Sequence, residues 1–286
     1  MKRAVHFLLS VLVLVALAGC AQPAAMSAST ESIRGGPEGI SINAFMGVPR
    51  WTESSAEYQL LNNIGYDAGY SNARESPLWS AYQVWPYTDP LATGRKSWKT
   101  DTRTSARVST SDYTHTGYDR GHVTPNHAVA ARLGTEAQKE TFLMSNVCPQ
   151  VPEMNQQTWR YLEEVITNDW GKDETVGRFW VTAGPIYGPD PSTIGPKNIE
   201  VPDSFYCLVI GEIGEDLEVL AIIMDQTVSG DHQLREFVTT VDAVEAATGL
   251  DFYSELPDRV EREIESQPPS AYWNIDRELN ARGSPG

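Results

Sequence analysis

From about residue 45 to residue 265 the chain has no Pro/Gly-rich linker long enough to separate two folding units, so this stretch has to close around one shared core. Strand-like and helical patterns follow one another there without regular alternation, which predicts an α+β domain. Residues 78–84 are aromatic and partly alternating, hence a strand. Residues 178–184 read as a buried strand ended by Gly184-Pro185. The β-rich runs 205–210 and 217–224 flank a Gly-Glu-Asp turn region and predict a hairpin. A short helix is expected over 136–144, with Thr135 as its N-cap. A second is expected over 156–168, where Trp159, Leu162, Val165 and Ile166 recur at spacings of three and four. A third covers 239–247 and stops at Gly249.

The N-terminus reads as an address. Lys2 and Arg3 precede an apolar run over 7–16 that is too short to span a bilayer, the pattern of a signal peptide. It ends Leu17-Ala18-Gly19-Cys20, which resembles a bacterial lipoprotein lipobox. The expected organisation is a signal peptide over 1–19, a flexible tether over 20–44 starting at a lipidated Cys20, the domain over 45–265 and a peripheral tail over 266–286. Acyl chains would anchor the protein to a membrane at roughly 0.8 kcal/mol per buried methylene. Ala21 after the cysteine points to the outer membrane of a bacterial cell envelope, facing the periplasm or the exterior.

Apolar residues at 41% and charged residues at 21% exclude a disordered, collagenous or polytopic membrane chain. The net charge of −16 argues against a protein that coats nucleic acid by bulk electrostatics. The charge is uneven, however. Residues 95–132 carry Arg95, Lys96, Lys99, Arg103, Arg107, Arg120 and Arg132 against Asp101, Asp112 and Asp119, a local +4. Residues 200–286 hold five basic and nineteen acidic side chains, a local −14. Three cysteines are too few for a disulfide scaffold. With Cys20 set aside, Cys148 and Cys207 are expected to be separate buried thiols rather than a bridge.

Two constellations carry chemistry. In Tyr118-Asp119-Arg120-Gly121-His122, an extended backbone turns Arg120 and His122 one way and Asp119 the other. Arginine binds phosphate bidentately, and histidine is the natural base near neutral pH. Gly121 between them would let a substrate approach the backbone closely. Further on, Asn155 and Glu163 are separated by eight positions, about 80° around a helix and two turns along it. An amide oxygen and a carboxylate are hard ligands suited to Mg²⁺. By spacing alone, Asn155 as a helix N-cap and Glu163 as a solvated side chain is the simpler reading. His115, His127 and His232 read as polar surface residues. No Cys-x-x-Cys pair, Gly-rich phosphate loop or Gly-x-Ser-x-Gly elbow is present in the sequence.

Taken in order, these residues resemble the DNA/RNA non-specific endonucleases of the ββα-metal type. Asp119-Arg120-Gly121-His122 is similar to that family's signature. The segment 142–150, then Asn155-Gln156 and 159–163, is similar to its metal-binding helix. Residues 77–82 and 95–101 upstream, and 181–187, 201–206 and 248–252 downstream, also fit, so the likeness runs over roughly 46–265. Cys148 and Cys207 depart from the family's usual Ser or Thr and Lys.

The resemblance implies an α+β, mostly antiparallel fold and a Mg²⁺-dependent nuclease, with Mn²⁺ as a substitute, acting on DNA, RNA or both. It implies that His122 is the general base for water. It gives Asn155 as the one direct metal ligand and Glu163 as a metal ligand through water. The ion would bind a non-bridging oxygen and stabilise the departing 3′ oxygen, leaving 5′-phosphate ends. Arg120 and Arg95 would bind and neutralise the phosphate, and Asn146 would support the catalytic group by hydrogen bonds. The acidic total implies weak, salt-sensitive substrate binding through the local basic patch. The alternative from another class is an envelope lipoprotein that keeps the scaffold without turnover.

Overall fold

The computed structural model describes residues 41–52, 58–214, 216–230, 232–268, 272–273 and 275. The leader, Cys20 and the tether up to residue 40 lie outside the described residues. The runs expected to form a hairpin do so, as Ser204–Ile213 and Asp216–Asp225, turning at Gly214 with φ of +66°. They are apolar at nearly every position because both faces of their sheet are covered. Phe205, Cys207 and Val209 join one core, and Tyr206, Leu208 and Ile210 join the other. The period of two along the strand decides which residue goes where.

Among the described residues that sheet has seven strands, in the spatial order Val238–Thr239, Asp216–Asp225, Ser204–Ile213, Phe179–Ile186, Ser76–Val84, Asp67–Ser71 and Gln59–Asn62. Every pairing in it is antiparallel. On one face lies a continuous helical run over 152–172, which buries Trp159, Leu162, Val165 and Ile166 as their spacing foretold. On the other face lie helices Val241–Thr248 and Asp258–Ser266. The first of these is capped by the Thr240 hydroxyl, which accepts from the Ala243 N–H at 3.2 Å, and ends at Gly249 in the left-handed region. Among the described residues no helix is long and apolar enough to cross a membrane.

Three expectations are corrected. The strand expected to stop at Gly184-Pro185 continues to Ile186. Pro185 lies beyond the last pair with the Ser76–Val84 strand, Ser80 with Ala183, so its missing N–H removes no rung on that flank. The helix expected over 136–144 is the second half of Asn126–Thr141, interrupted at Gly134 with φ of +79°. In the tail expected to be peripheral, Trp273 is 1% exposed and packs 5.0 Å from Trp170 and 5.5 Å from Phe179. Cys148 and Cys207 are separate free thiols, both raised in pKa by burial, as expected.

Candidate active site

The site is built on a two-stranded antiparallel ribbon, Asp119–His122 against Val147–Gln150, leading directly into the helical run that begins at Pro152. Proline at the first helical position has no N–H to leave unpaired. The junction is pinned to the main sheet by Gln226. Its Oε1 accepts from the Val151 N–H at 2.7 Å, and its Nε2 donates to the carbonyls of Pro149 at 3.0 Å and Pro202 at 2.8 Å. Gly121 faces the buried side chain of Gln150, which occupies the space a Cβ would need. Glycine is therefore required here by the protein's own packing. The expected close approach of substrate at this backbone is corrected accordingly.

Asn155 opens a wide π-type turn, Asn155–Trp159, within the helical run. Its Nδ2 donates to Asp119 Oδ2 at 2.8 Å, and Gln156 Nε2 donates to the same oxygen at 2.7 Å. A carboxylate accepts only, so the amide has to present its nitrogen to Asp119 and turn Oδ1 away. That orientation leaves an amide oxygen as the free end of Asn155, which is what a hard divalent ion requires. Glu163 lies two turns further on and is half-buried. Burial pushes its carboxyl up to about 8, and the indole of Trp159, facing it without closing a hydrogen bond, offsets part of the rise. A divalent ion nearby would reverse that shift and hold the group as a carboxylate. The donor set thus fits Mg²⁺, one amide oxygen and one carboxylate, with water completing the shell.

At the other end of the strand His122 is clamped between aromatic rings. Trp98 lies 4.6 Å away at 37° and Phe142 lies 5.0 Å away at 89°. Its Nε2 is sealed from solvent and has no hydrogen-bond partner. Desolvation, and after it the charge of Arg95, push the imidazole down to about 3, so it is neutral across the physiological range. Arg95 is exposed, with its guanidinium 5.8 Å from the Trp98 ring. The basic loop is stapled in place by the Lys99 N–H donating to Phe142 O at 2.9 Å and the Met144 N–H donating to Lys99 O at 2.8 Å. Asn146 fixes the chain after His122. Its Oδ1 accepts from the Thr124 N–H at 2.9 Å, and its Nδ2 donates to the carbonyls of Thr124 at 2.9 Å and Thr141 at 3.0 Å. Both polar atoms of Asn146 are spent internally, which makes it a positioning residue rather than one in contact with substrate.

Arg120 donates through Nη2 to Thr110 O at 2.7 Å and lies 5.9 Å from the Tyr113 ring, while its Nε is buried without a partner. The basic patch is smaller than its formal charge. Arg103 is committed to Asp101 at 2.7 Å and to Asn62 and Asn63. Arg132 is buried, donating to the carbonyls of Trp85, Ala128, Thr167 and Gly171. Arg95, Lys99 and Arg107 remain exposed. His127 contacts Tyr87 and Asn168, and His232 pairs with Glu236 at 3.1 Å, both at the surface as expected. Sequence reasoning gave no role to Asp119, Trp98, Phe142 or Gln226. The signal for Asp119 was an acid within the same motif, but no spacing rule links it to Asn155, 36 residues away.

The family model described as DNA/RNA non-specific endonuclease matches residues 51–259. A mitochondrial nuclease of Saccharomyces cerevisiae is 34% identical over 166 residues, which cover 51% of this chain and 49% of that protein. The match thus spans about half the length of the yeast protein. A nuclease of Nostoc is 28% identical over 245 residues, covering 80% of this chain and 86% of that protein. A solved structure of the EndoG/EndoGI complex, concerned with the mechanism of EndoG inhibition, superposes with a TM-score of 0.63. It covers 71% of this chain and 89% of the solved one at 24% identity, a likeness of fold, the ββα-metal form of the α+β class.

Proposed function

The chain belongs to the DNA/RNA non-specific endonuclease family, and from that membership we propose that it hydrolyses phosphodiester bonds within DNA, RNA or both, with little sequence preference. Asn155 Oδ1 would be the direct protein ligand of a Mg²⁺ ion, replaceable by Mn²⁺, and Glu163 would hold it through a water. Bound there, such an ion would supply positive charge that stabilises the phosphate and the departing 3′ oxygen. Asp119, by accepting from Nδ2, keeps the Asn155 oxygen free for the ion it would hold. His122, neutral because of its apolar clamp, takes the proton from the attacking water. With Nε2 sealed, Nδ1 is the nitrogen assigned to that step. Arg120 and Arg95 bind the phosphate and offset its growing charge. The products carry 5′-phosphates.

One observation carries this reading. The Asp119–His122 strand holds a neutral imidazole at one end and, through Asp119, an amide with a free oxygen at the other. The lipobox-like Leu17-Ala18-Gly19-Cys20 supports a lipid anchor at Cys20 and a place in a bacterial envelope, at the outer membrane. The test is digestion of plasmid and of RNA, with Mg²⁺ or EDTA, by the wild type and His122→Ala. Cutting by the wild type with Mg²⁺ alone supports the proposal. No metal-dependent cutting of either polymer overturns it.

A further inference from the structure

On the sheet face opposite the nuclease helix, Val241–Thr248 and Asp258–Ser266 bring three carboxylates together. Asp242 and Glu245 are one turn apart on the first helix, and Glu265 comes from the second. An oxygen of each lies within 4.8 Å of an oxygen of the other two. Glu265 is 5% exposed, and its Oε1 is sealed from solvent without a hydrogen-bond partner. Tyr253 is 4% exposed, its hydroxyl has no partner, and it lies within electrostatic reach of Glu265 and Glu245. The Phe252 N–H donates to Glu245 Oε1 at 2.8 Å. Asp251 and Glu261 add negative potential around Glu265.

We propose that Asp242, Glu245 and Glu265 form a structural site for a hard divalent cation. A set of carboxylate oxygens suits a hard cation, and Ca²⁺, which accepts several carboxylates in a flexible geometry, is the probe for it. The three oxygens, all within 4.8 Å of one another, can reach a single ion without movement of either helix. Bound there, Ca²⁺ would tie the two helices together and satisfy the buried Glu265 oxygen. It would act on the folded state, far in sequence from His122 and Asn155.

The test uses the full chain stripped with EDTA, as the wild type and as Asn155→Ala, which silences the nuclease metal site. Ca²⁺ at about a hundredfold above its Kd is expected to raise Tm by roughly 5–10 °C in both. Terbium luminescence, excited through nearby aromatic rings, should appear in both and be displaced by Ca²⁺. Glu265→Gln should remove the Ca²⁺ shift and leave Mg²⁺-dependent cleavage unchanged. Asp242→Asn, at an exposed position that tolerates change, should weaken Ca²⁺ binding more than tenfold. No Ca²⁺ shift in the wild type and Asn155→Ala, or equal shifts in Glu265→Gln and Asp242→Asn, would overturn the proposal. Failure here leaves the nuclease reading intact, because cleavage is measured separately.

Discussion

If Asn155 holds a divalent ion as proposed, removing the Asp119 carboxylate should raise the metal requirement for cleavage without destroying the chemistry. Asp119 Oδ2 accepts from Asn155 at 2.8 Å and from Gln156 at 2.7 Å. A hydrogen bond to a charged acceptor is worth about 1.5–3 kcal/mol, and the one to Asn155 is what fixes the direction of its oxygen. In Asp119→Ala that amide rotates freely, and the cost falls on ion binding. At about 1.4 kcal/mol per tenfold, the loss is ten- to hundredfold in affinity, the range in which supporting partners of metal ligands act. The assay is the initial rate of plasmid cleavage against Mg²⁺ concentration. The half-maximal concentration should move up ten- to hundredfold, while the rate at saturating Mg²⁺ stays within a few-fold of the wild type. Asp119→Asn, whose side chain keeps one acceptor, should fall between the two. An unchanged midpoint combined with a lower saturating rate would refute the idea that Asp119 works by orienting Asn155.

Three other outcomes follow from the site. His122 is depressed to about 3, so the acid limb of kcat/KM that it controls should lie below 6.5, and Arg95→Ala should move the limb up because that charge helps depress it; a His122-dependent limb at or above 6.5 would contradict the clamp. Glu163 is raised to about 8 from an ordinary value near 4.5, so in EDTA the folded state keeps its proton while the unfolded chain has lost it. Its stabilising contribution is complete below 4.5 and is lost as pH rises through 8. Glu163→Gln should flatten this part of the Tm profile, and an equal slope in the variant would disprove it. Gly121→Ala drives a Cβ into Gln150 and should cost about 1–3 kcal/mol in urea unfolding, with Gln150→Ala restoring much of it; a neutral Gly121→Ala would show that Gln150 yields freely.

The fold was legible where burial repeats with a period. The run 205–210 alternates between two cores, and 156–168 shows one apolar stripe, so both declare themselves within a few residues. The Asn126–Thr141 helix was read only from its second half because Gly134 breaks the pattern and the first half is rich in alanine. Trp273 looked peripheral because a lone aromatic in a polar tail has no period, yet it fills a gap beside Trp170 and Phe179. The candidate site residues were legible as types in order, through their likeness to a known motif. Their supports were not. Asp119 meets Asn155, Arg95 reaches His122 past Trp98, and Gln226 ties the ribbon to the sheet, each across a separation that only the closed chain brings together. The count of charges misled for the same reason, since Arg103 and Arg132 are consumed by backbone carbonyls and Asp101.

The central claim is that His122 and Asn155 serve one reaction centre, and the most direct measurement of it is single-turnover cleavage by His122→Ala, Asn155→Ala and the double variant at saturating Mg²⁺. Loss of a positioned base costs about 10²–10⁴-fold. Groups acting on the same step are non-additive, so the double variant should be no slower than the worse single one. Losses that multiply in the double variant, or a single variant that cleaves at the wild-type rate, would contradict the account.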